Sequence, residues 1–390
     1  MEKKKDKDFD VDEALALLLL NVEGFEDKAL MRMGKRIKDV SRLSAYDMKS
    51  LENIVYIGVE LDEIYKELAA ATDATIKDMQ TLIENNIAAE MKKDSVLYKA
   101  MNEECVPFEK NELAKEMVKN WAERTGGELI NLSRTKAIGF TDRTGKFTPI
   151  EGAYQTALDK AVVAVRTGTD DFNSAMRDTI EALGGSGVVT NYGSGVTRSV
   201  ESAVRANILY GVKQSAQQYH DAIGEKFEAD GFEVDYHPHP RPSHEFMGGV
   251  MYSNHGDVTI DGVTYKDGSE ALERLQDYNC LHFATPVILG ISEPTYDKKW
   301  LEEQKKKDKE VLTYDTPAGR TLQGTRYYFT QKQRELERAV RKQRRIQEMA
   351  QAAGNTDLAR DAQAKIDTLR EYYNDMCEKT GLQRTDERMA

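Results

Sequence analysis

Five of the chain's six histidines, His237, His239, His244, His255 and His282, fall in one stretch, and Cys280 sits two residues before the last of them. The first part reads Tyr-His-Pro-His-Pro-Arg-Pro-Ser-His-Glu-Phe-Met-Gly-Gly from Tyr236 to Gly249, and the second reads Asn-Cys-Leu-His from Asn279 to His282. Imidazole and thiolate are common zinc ligands, and His239 and His244 have the H-x4-H spacing of such sites. On a strand, Cys280 and His282 would point to one face, because side chains alternate with a period of two. A zinc ion held by His239, His244, Cys280 and His282, with His237 as a further candidate, is the sharpest chemistry on offer. Against it, C-x-H is tighter than the usual structural zinc spacings, and Pro238, Pro240 and Pro242 hold the intervening residues extended.

Other chemistries are less complete. Cys280 with His244 or His282 as base would be a minimal thiol pair, but no pattern supplies an oxyanion hole or a third, orienting residue. A metal-dependent nuclease would add Glu245 or Asp257, at spacings that say little. The favoured reading is structural, with Arg241 and the imidazoles hydrogen-bonding to loops that a small sheet cannot satisfy through its own ladder. On that reading no cofactor is expected and zinc is the alternative. The glycine run Gly184-Gly185-Ser186-Gly187 has no lysine in P-loop register and no GxGxxG, so phosphate binding is not its expected role.

The elements that position this stretch are mostly helical. Leu15, Leu18, Leu19 and Val22 share a helical face. Ile37, Val40, Leu43, Met48, Leu51, Ile54 and Val55 continue at three- and four-residue steps with a break near Ser44. Leu61, Ile64, Leu68, Ile76, Met79 and Ile83 repeat the period. No proline occurs before Pro107, which permits long helices. Further helices are expected over Asn111–Leu132, around Tyr154–Val165, around Phe172–Leu183 and over Ser199–Asp221, with a turn-rich segment at 133–149 and a flexible Tyr192-Gly-Ser-Gly loop. Arg205, among apolar neighbours on the last of these helices, is either solvated or a structural partner of the His/Cys stretch. After Gly231 the pattern alternates as strands do. Phe232–Tyr236 and Val287–Ile291 read as strands, and Val258–Tyr265 reads as a hairpin around Asp261-Gly262, the pair that favours a type I′ turn. Trp300–Glu310 is very charged and reads as an exposed helix or a linker.

At the end, Thr330–Gly354 and Thr356–Lys379 form a helical hairpin with Asn355 and Thr356 at its turn. Its first arm carries Lys332, Arg334, Arg338, Arg341, Lys342, Arg344 and Arg345 against Glu335 and Glu337. This basic run on a chain of net charge -12 is either a solvated face or a contact for an acidic partner or packaged nucleic acid. The fold class is therefore mainly α with a small α+β module, in four stretches. These are an N-terminal helical docking region (1–132), a helical middle (133–230), the α+β unit (231–298) and a charged linker with the helical hairpin (299–390). The net charge argues against bulk attraction to a nucleic-acid backbone. Three scattered cysteines without a CxxC pair indicate free thiols made in a reducing compartment. No secretion signal is read near the start, and no apolar run reaches the roughly 18–20 residues a membrane span needs.

Four stretches together resemble the phage minor capsid protein 2 family, and more loosely the phage Mu F-type head morphogenesis proteins. They are Tyr192-Gly-Ser-Gly running into Val204-Arg205 and Gln214; Arg241-Pro-Ser-His244 with Gly248 and Tyr252-Ser253; Asn279-Cys280-x-His282 with Pro286 and Gly290-Ile-Ser292; and Thr330-Gln-Lys-Gln-Arg-Glu-Leu-Glu-Arg338 with the ending Cys377-Glu-Lys-Thr-Gly-Leu382. They span roughly residues 150–390, while the leading helices match in general character. Arg205, Arg241, Ser243, His244, Gly248, Asn279, Cys280 and His282 form the signature. The family pattern usually has arginine where this chain has Leu281, and glutamine where it has Met247. The resemblance implies a minor virion component of a tailed phage, made in the host cytoplasm and present in many copies. It would sit at the portal vertex or inside the head, against the portal protein, the major capsid protein or packaged DNA, and bring no established enzymatic activity. Rival readings are a virion-carried enzyme or toxin using the His/Cys cluster, and an assembly factor absent from the mature particle.

Overall fold

The computed structural model describes residues 9–42, 55–134, 137–142, 144–166, 172–277 and 280–389. The fold is mainly α with a small α+β module, as the periodicity predicts. The proline-free start gives two long helices, α1 (Val11–Ser41) and α2 (Val55–Lys93). Asp10 caps the first, its carboxylate accepting from the Asp12 and Glu13 amides at 2.8 and 3.1 Å. The expected break near Ser44, and Leu43, Met48, Leu51 and Ile54, lie outside the described residues. A short α3 (Ser95–Ala100) and α4 (Glu112–Arg134) follow.

The turn-rich segment after α4 holds strands that the sequence reading did not place. They are β1 (Ile138–Thr141) and β2 (Phe147–Pro149), followed by α5 (Ile150–Arg166) and α6 (Phe172–Ser186). The Tyr192-Gly-Ser-Gly loop is the tip of a hairpin between β3 (Val189–Asn191) and β4 (Thr197–Ser199). These four strands form one antiparallel sheet in the order β2-β1-β3-β4. At three or four residues each, they are too short for alternation to register. Next comes α7 (Val200–Lys226).

The α+β module is a second, five-stranded sheet. Its strands are β5 (Gly231–Val234), β6 (Met251–Ser253), β7 (Val258–Ile260), β8 (Val263–Asp267) and, after α8 (Ser269–Leu275), β9 (Ala284–Val287). The order is β7-β8-β6-β5-β9, with β6 and β8 parallel and the other pairs antiparallel. Asp261 and Gly262 both have positive φ, 49° and 79°, as the type I′ turn requires. The strand expected at 287–291 lies earlier, at β9. Residues 288–292 instead form a turn in which Ser292 donates from its amide to the Ile288 carbonyl at 2.8 Å, with Gly290 at φ 76°. The chain continues through α9 (Lys298–Asp308), a β10 (Leu312–Asp315) and β11 (Thr321–Gly324) hairpin, and the helical hairpin of α10 (Arg326–Ala353) and α11 (Thr356–Thr380). Asn355 caps α11 by accepting from the Leu358 amide at 3.1 Å.

Two compact units result, each assembled from separated stretches. The first takes residues 1–15, 77–126 and 206–331, and the second takes 16–76, 127–205 and 332–390. In the first, Phe232, Val234, Met247, Tyr252, Ala271, Leu275, Cys280 and Ala284 form the module's buried core. In the second, glycines allow close helix packing. A Cβ on Gly34 would lie 2.5 Å from the Met349 carbonyl oxygen, and one on Gly184 would lie 2.9 Å from Ile346 Cα. The Gly184–Gly187 run therefore packs closely against α10.

Candidate functional site

The adjacent ends of β5 and β9 bring the two halves of the signature together. Val234 pairs with Ala284, so Asp235 and His237 leave one strand beside His282 and Phe283 entering the other. A 3-10 turn at Pro242–His244, preceded by an extended Arg241, lays His244 against the same end. Asp277, in the turn after α8, accepts the Cys280 amide on its carbonyl at 3.0 Å. The result is a buried trio in which Cys280 Sγ lies 3.8 Å from His244 Nδ1 and 3.7 Å from His282 Nδ1. One potential ligand atom from each residue falls within 4.8 Å of the other two.

Groups around the trio fix its geometry. His244 Nε2 lies 3.0 Å from Asp277 Oδ2. Burial lowers the His244 pKa against the opposing pull of Asp277, while the bond to His244 lowers that of Asp277. Burial, helped by the charge of His237, pushes His282 down to about 3, so its ring is neutral at physiological pH. His282 Nε2 is buried without a hydrogen-bond partner. The ring of His282 packs edge-on against those of His237 and His244, at centroid distances of 4.8 and 5.4 Å. Lys213 of α7 approaches Cys280 and donates to the Leu275 carbonyl.

Behind the trio runs a partly buried chain of charges. Asp235 accepts from the Phe283 amide at 2.7 Å, and its other oxygen meets His237 Nε2 at 3.0 Å and Lys93 Nζ at 3.1 Å. Burial alone would raise the Asp235 pKa, but His237 and Lys93 hold it below the usual carboxylate value. Burial likewise opposes charge on His237, yet Asp235 raises its pKa. Lys93 also meets Glu90 at 2.8 Å. Glu90 and Asp94 then flank His220 on α7, at 3.3 and 2.8 Å. Burial opposes charge there too, but the two carboxylates carry His220 up to about 10. The histidine outside the sequence cluster is thus part of the same network.

A pocket of about 10 Å³, room for roughly one water-sized species, opens beside the trio and is lined by His237, His244, Glu245, Gly248, His282 and Asp308 among others. The structure divides the residues singled out by sequence. His244, Cys280 and His282 come together. His239 does not join them: at φ 59°, its amide donates to Asp308 at 3.0 Å and its Nδ1 lies 3.4 Å from that carboxylate. The H-x4-H spacing therefore does not describe the cluster. His255 is exposed on a loop, and Asp257 pairs with Lys266 at 2.6 Å. Arg241 is half-buried, Ser243 exposed and Gly248 buried beside Asp235, while Asn279 lies outside the described residues. Arg205 is half-buried on α7 in the second unit, not the one holding the trio. Met247, where the family pattern has glutamine, is fully buried in the module core. Asp277, Asp235, Lys93 and Lys213 were missed by sequence reasoning. Asp277, three residues before Cys280, was the one within local reach.

The basic run on α10 is not a uniformly outward face. Arg341 pairs with Glu23 at 3.1 Å and Glu201 at 3.0 Å, Arg344 with Asp27 at 2.7 Å, and Arg345 with Glu26 at 3.6 Å. These partners account for three of the seven cations, because α1 carries the matching acids. Arg334 and Lys332 pair with Glu337 and Glu335 along their own helix, and Arg338 and Lys342 are exposed. Burial outweighs the arginines at Glu23 and Glu26, raising both to about 7.

Fold and site together define a mainly helical protein carrying a small α+β module with a closed His/Cys cluster. Among the described residues no helix is long and apolar enough to cross a membrane. The chain belongs to the phage minor capsid protein 2 family, whose sequence profile matches residues 23–378. The match takes in the leading helices that the signature motifs did not cover, and it gives the chain a structural role in a phage particle among other virion components. Searches of curated proteins and of solved structures give no match.

Proposed function

We propose that the chain is a non-enzymatic minor structural protein of a tailed-phage virion, seated in several copies at the portal vertex or in the head interior, where it contacts the portal or the major capsid protein. The family match over residues 23–378 carries this reading. The burial of Cys280 within an apolar core supports a structural use of the signature. Arg338 and Lys342, exposed on α10, are the cations left facing outward for an acidic partner or packaged DNA. Several modest docking surfaces suit a ring of copies, since linked weak contacts reinforce one another.

Mass spectrometry of purified mature virions, combined with chemical cross-linking, tests the proposal. The expected result is peptides of this chain at a fixed ratio to the portal protein, with cross-links to the portal or the major capsid protein. Its presence in precursor heads and absence from mature particles would instead establish an assembly factor and overturn the proposal.

A further inference from the structure

We propose that His244, Cys280 and His282 bind a zinc ion, with the fourth coordination position turned toward the small pocket beside them. Ideal tetrahedral zinc, with Zn–S near 2.3 Å and Zn–N near 2.0–2.1 Å, places a sulfur and a nitrogen ligand about 3.5 Å apart. The observed sulfur-to-nitrogen separations of 3.7 and 3.8 Å are within a few tenths of an ångström of that value. Two imidazole nitrogens on tetrahedral zinc lie about 3.3 Å apart, so the 4.8 Å bound on all three pairs leaves a contraction of at most about 1.5 Å for the two rings.

Two independent features point to a metal rather than to three packed side chains. The first is Asp277. With His244 Nδ1 turned to the sulfur, Nε2 meets the Asp277 carboxylate at 3.0 Å, the carboxylate–histidine arrangement that orients a ligating ring and raises its basicity. The second is the His282 ring. It is 5% exposed, its Nε2 has no hydrogen-bond partner, and its Nδ1 has only the weak thiol contact at 3.7 Å. No strong hydrogen bond competes for Nδ1, so zinc there would supply a partner to a buried nitrogen whose lack of one costs about 1–3 kcal/mol.

The ligand set is one thiolate and two imidazoles, suited to zinc and to cobalt(II) as its spectroscopic stand-in. His237 is not the fourth ligand, because the ligand atoms that fall within 4.8 Å of one another come from His244, Cys280 and His282 and not from His237. The position it leaves faces a space of about 10 Å³, the scale of a single water. Such an ion would tie the turn at Pro242–His244 to the segment before β9, two parts of the module separated by α8 and three strands.

The same geometry also contains a Cys280–His244–Asp277 line resembling a thiol nucleophile with base and orienter, and the experiment separates the two. The full chain is produced in zinc-supplemented medium, gel-filtered and analysed for metal, then stripped and reloaded with cobalt(II). About one zinc per chain is expected, with a thiolate-to-cobalt near-ultraviolet band and tetrahedral visible bands. Cys280→Ser removes the near-ultraviolet band, whereas Cys105→Ser and Cys377→Ser retain it. Because Cys280→Ser perturbs a buried site, Asp277→Asn at the rim provides a second reading. It should fold and weaken zinc by roughly 10–100-fold in chelator competition. Zinc well below one equivalent with no cobalt–thiolate band overturns the proposal, as does a band that survives Cys280→Ser. Rapid alkylation of Cys280 by iodoacetamide in a metal-free chain would assign the line to the thiol reading. The virion proposal stands or falls separately, on particle composition.

Discussion

Replacing Asp235 with asparagine preserves shape but removes the charge on which the buried network turns. In the native chain its carboxylate serves the Phe283 amide, His237 and Lys93 at 2.7, 3.0 and 3.1 Å, and the residue is 6% exposed. Asparagine can keep the amide bond, but one oxygen cannot replace the charge-assisted bonds to His237 and Lys93. Each such bond contributes about 1.5–3 kcal/mol, and breaking one side of a buried ion pair costs about 3–5 kcal/mol, so the variant should lose about 3–5 kcal/mol. The assay is built into the fold: both tryptophans, Trp121 and Trp300, belong to the first unit, so their fluorescence follows that unit during urea unfolding. With a slope of roughly 2–3 kcal/mol/M, the midpoint should fall by about 1–2 M at pH 7. The Asp235 pKa is depressed on folding, so its contribution is present above the unfolded value of 3.8 and fades as pH falls through the lower folded value. The gap between native chain and variant should therefore narrow in acid. A loss under about 1 kcal/mol at pH 7, or a gap that widens in acid, would refute the argument.

Three other perturbations have definite signs. His220 rises from 6.5 to about 10 on folding, so its stabilisation is complete below 6.5 and lost as pH climbs through 10. Tryptophan-monitored urea midpoints should fall across that window, and His220→Ala should remove the slope while costing about 3–5 kcal/mol. Glu26 rises from 4.5 to about 7, so its contribution to the second unit is lost as pH rises through 7; Glu26→Gln should flatten that slope in circular-dichroism melts. Arg341→Ala strands Glu23 and Glu201 and should cost about 3–5 kcal/mol, whereas Arg338→Ala with Lys342→Ala should stay within about 0.5 kcal/mol and act instead on binding to an acidic partner or DNA, measured by salt-dependent pull-down.

Elements whose information is local were legible in the sequence. Helical periodicity over ten or more residues placed α4 to α7 and the α10–α11 hairpin, and Asp261-Gly262 placed the β7–β8 turn. The strands β1 to β4 were not legible, because three or four residues cannot establish a period. The site was legible as composition but not as geometry. His239 and His244 have ligand spacing, but a positive φ at His239 sends its ring to Asp308. Cys280 and His282 looked cramped, yet both Nδ1 and Sγ atoms converge with His244 from 36 residues away. Lys93 and His220 could not be assigned, because their partners lie 142 and 126 to 130 residues distant. The basic run on α10 showed its charge, while the neutralising acids of α1 lie about 318 residues earlier.

That last separation sets an order in time. Synthesis at about 5–20 residues per second leaves Glu23, Glu26 and Asp27 waiting roughly 15–60 s for Arg341, Arg344 and Arg345 to emerge. The first unit has all of its residues once the chain reaches 331, whereas the second needs the final hairpin. A nascent chain stopped between residues 331 and 340 would hold every residue of the trio but lack the cations that answer α1. The His/Cys trio and the α1–α10 interlock therefore mature at different moments, and premature termination would separate them.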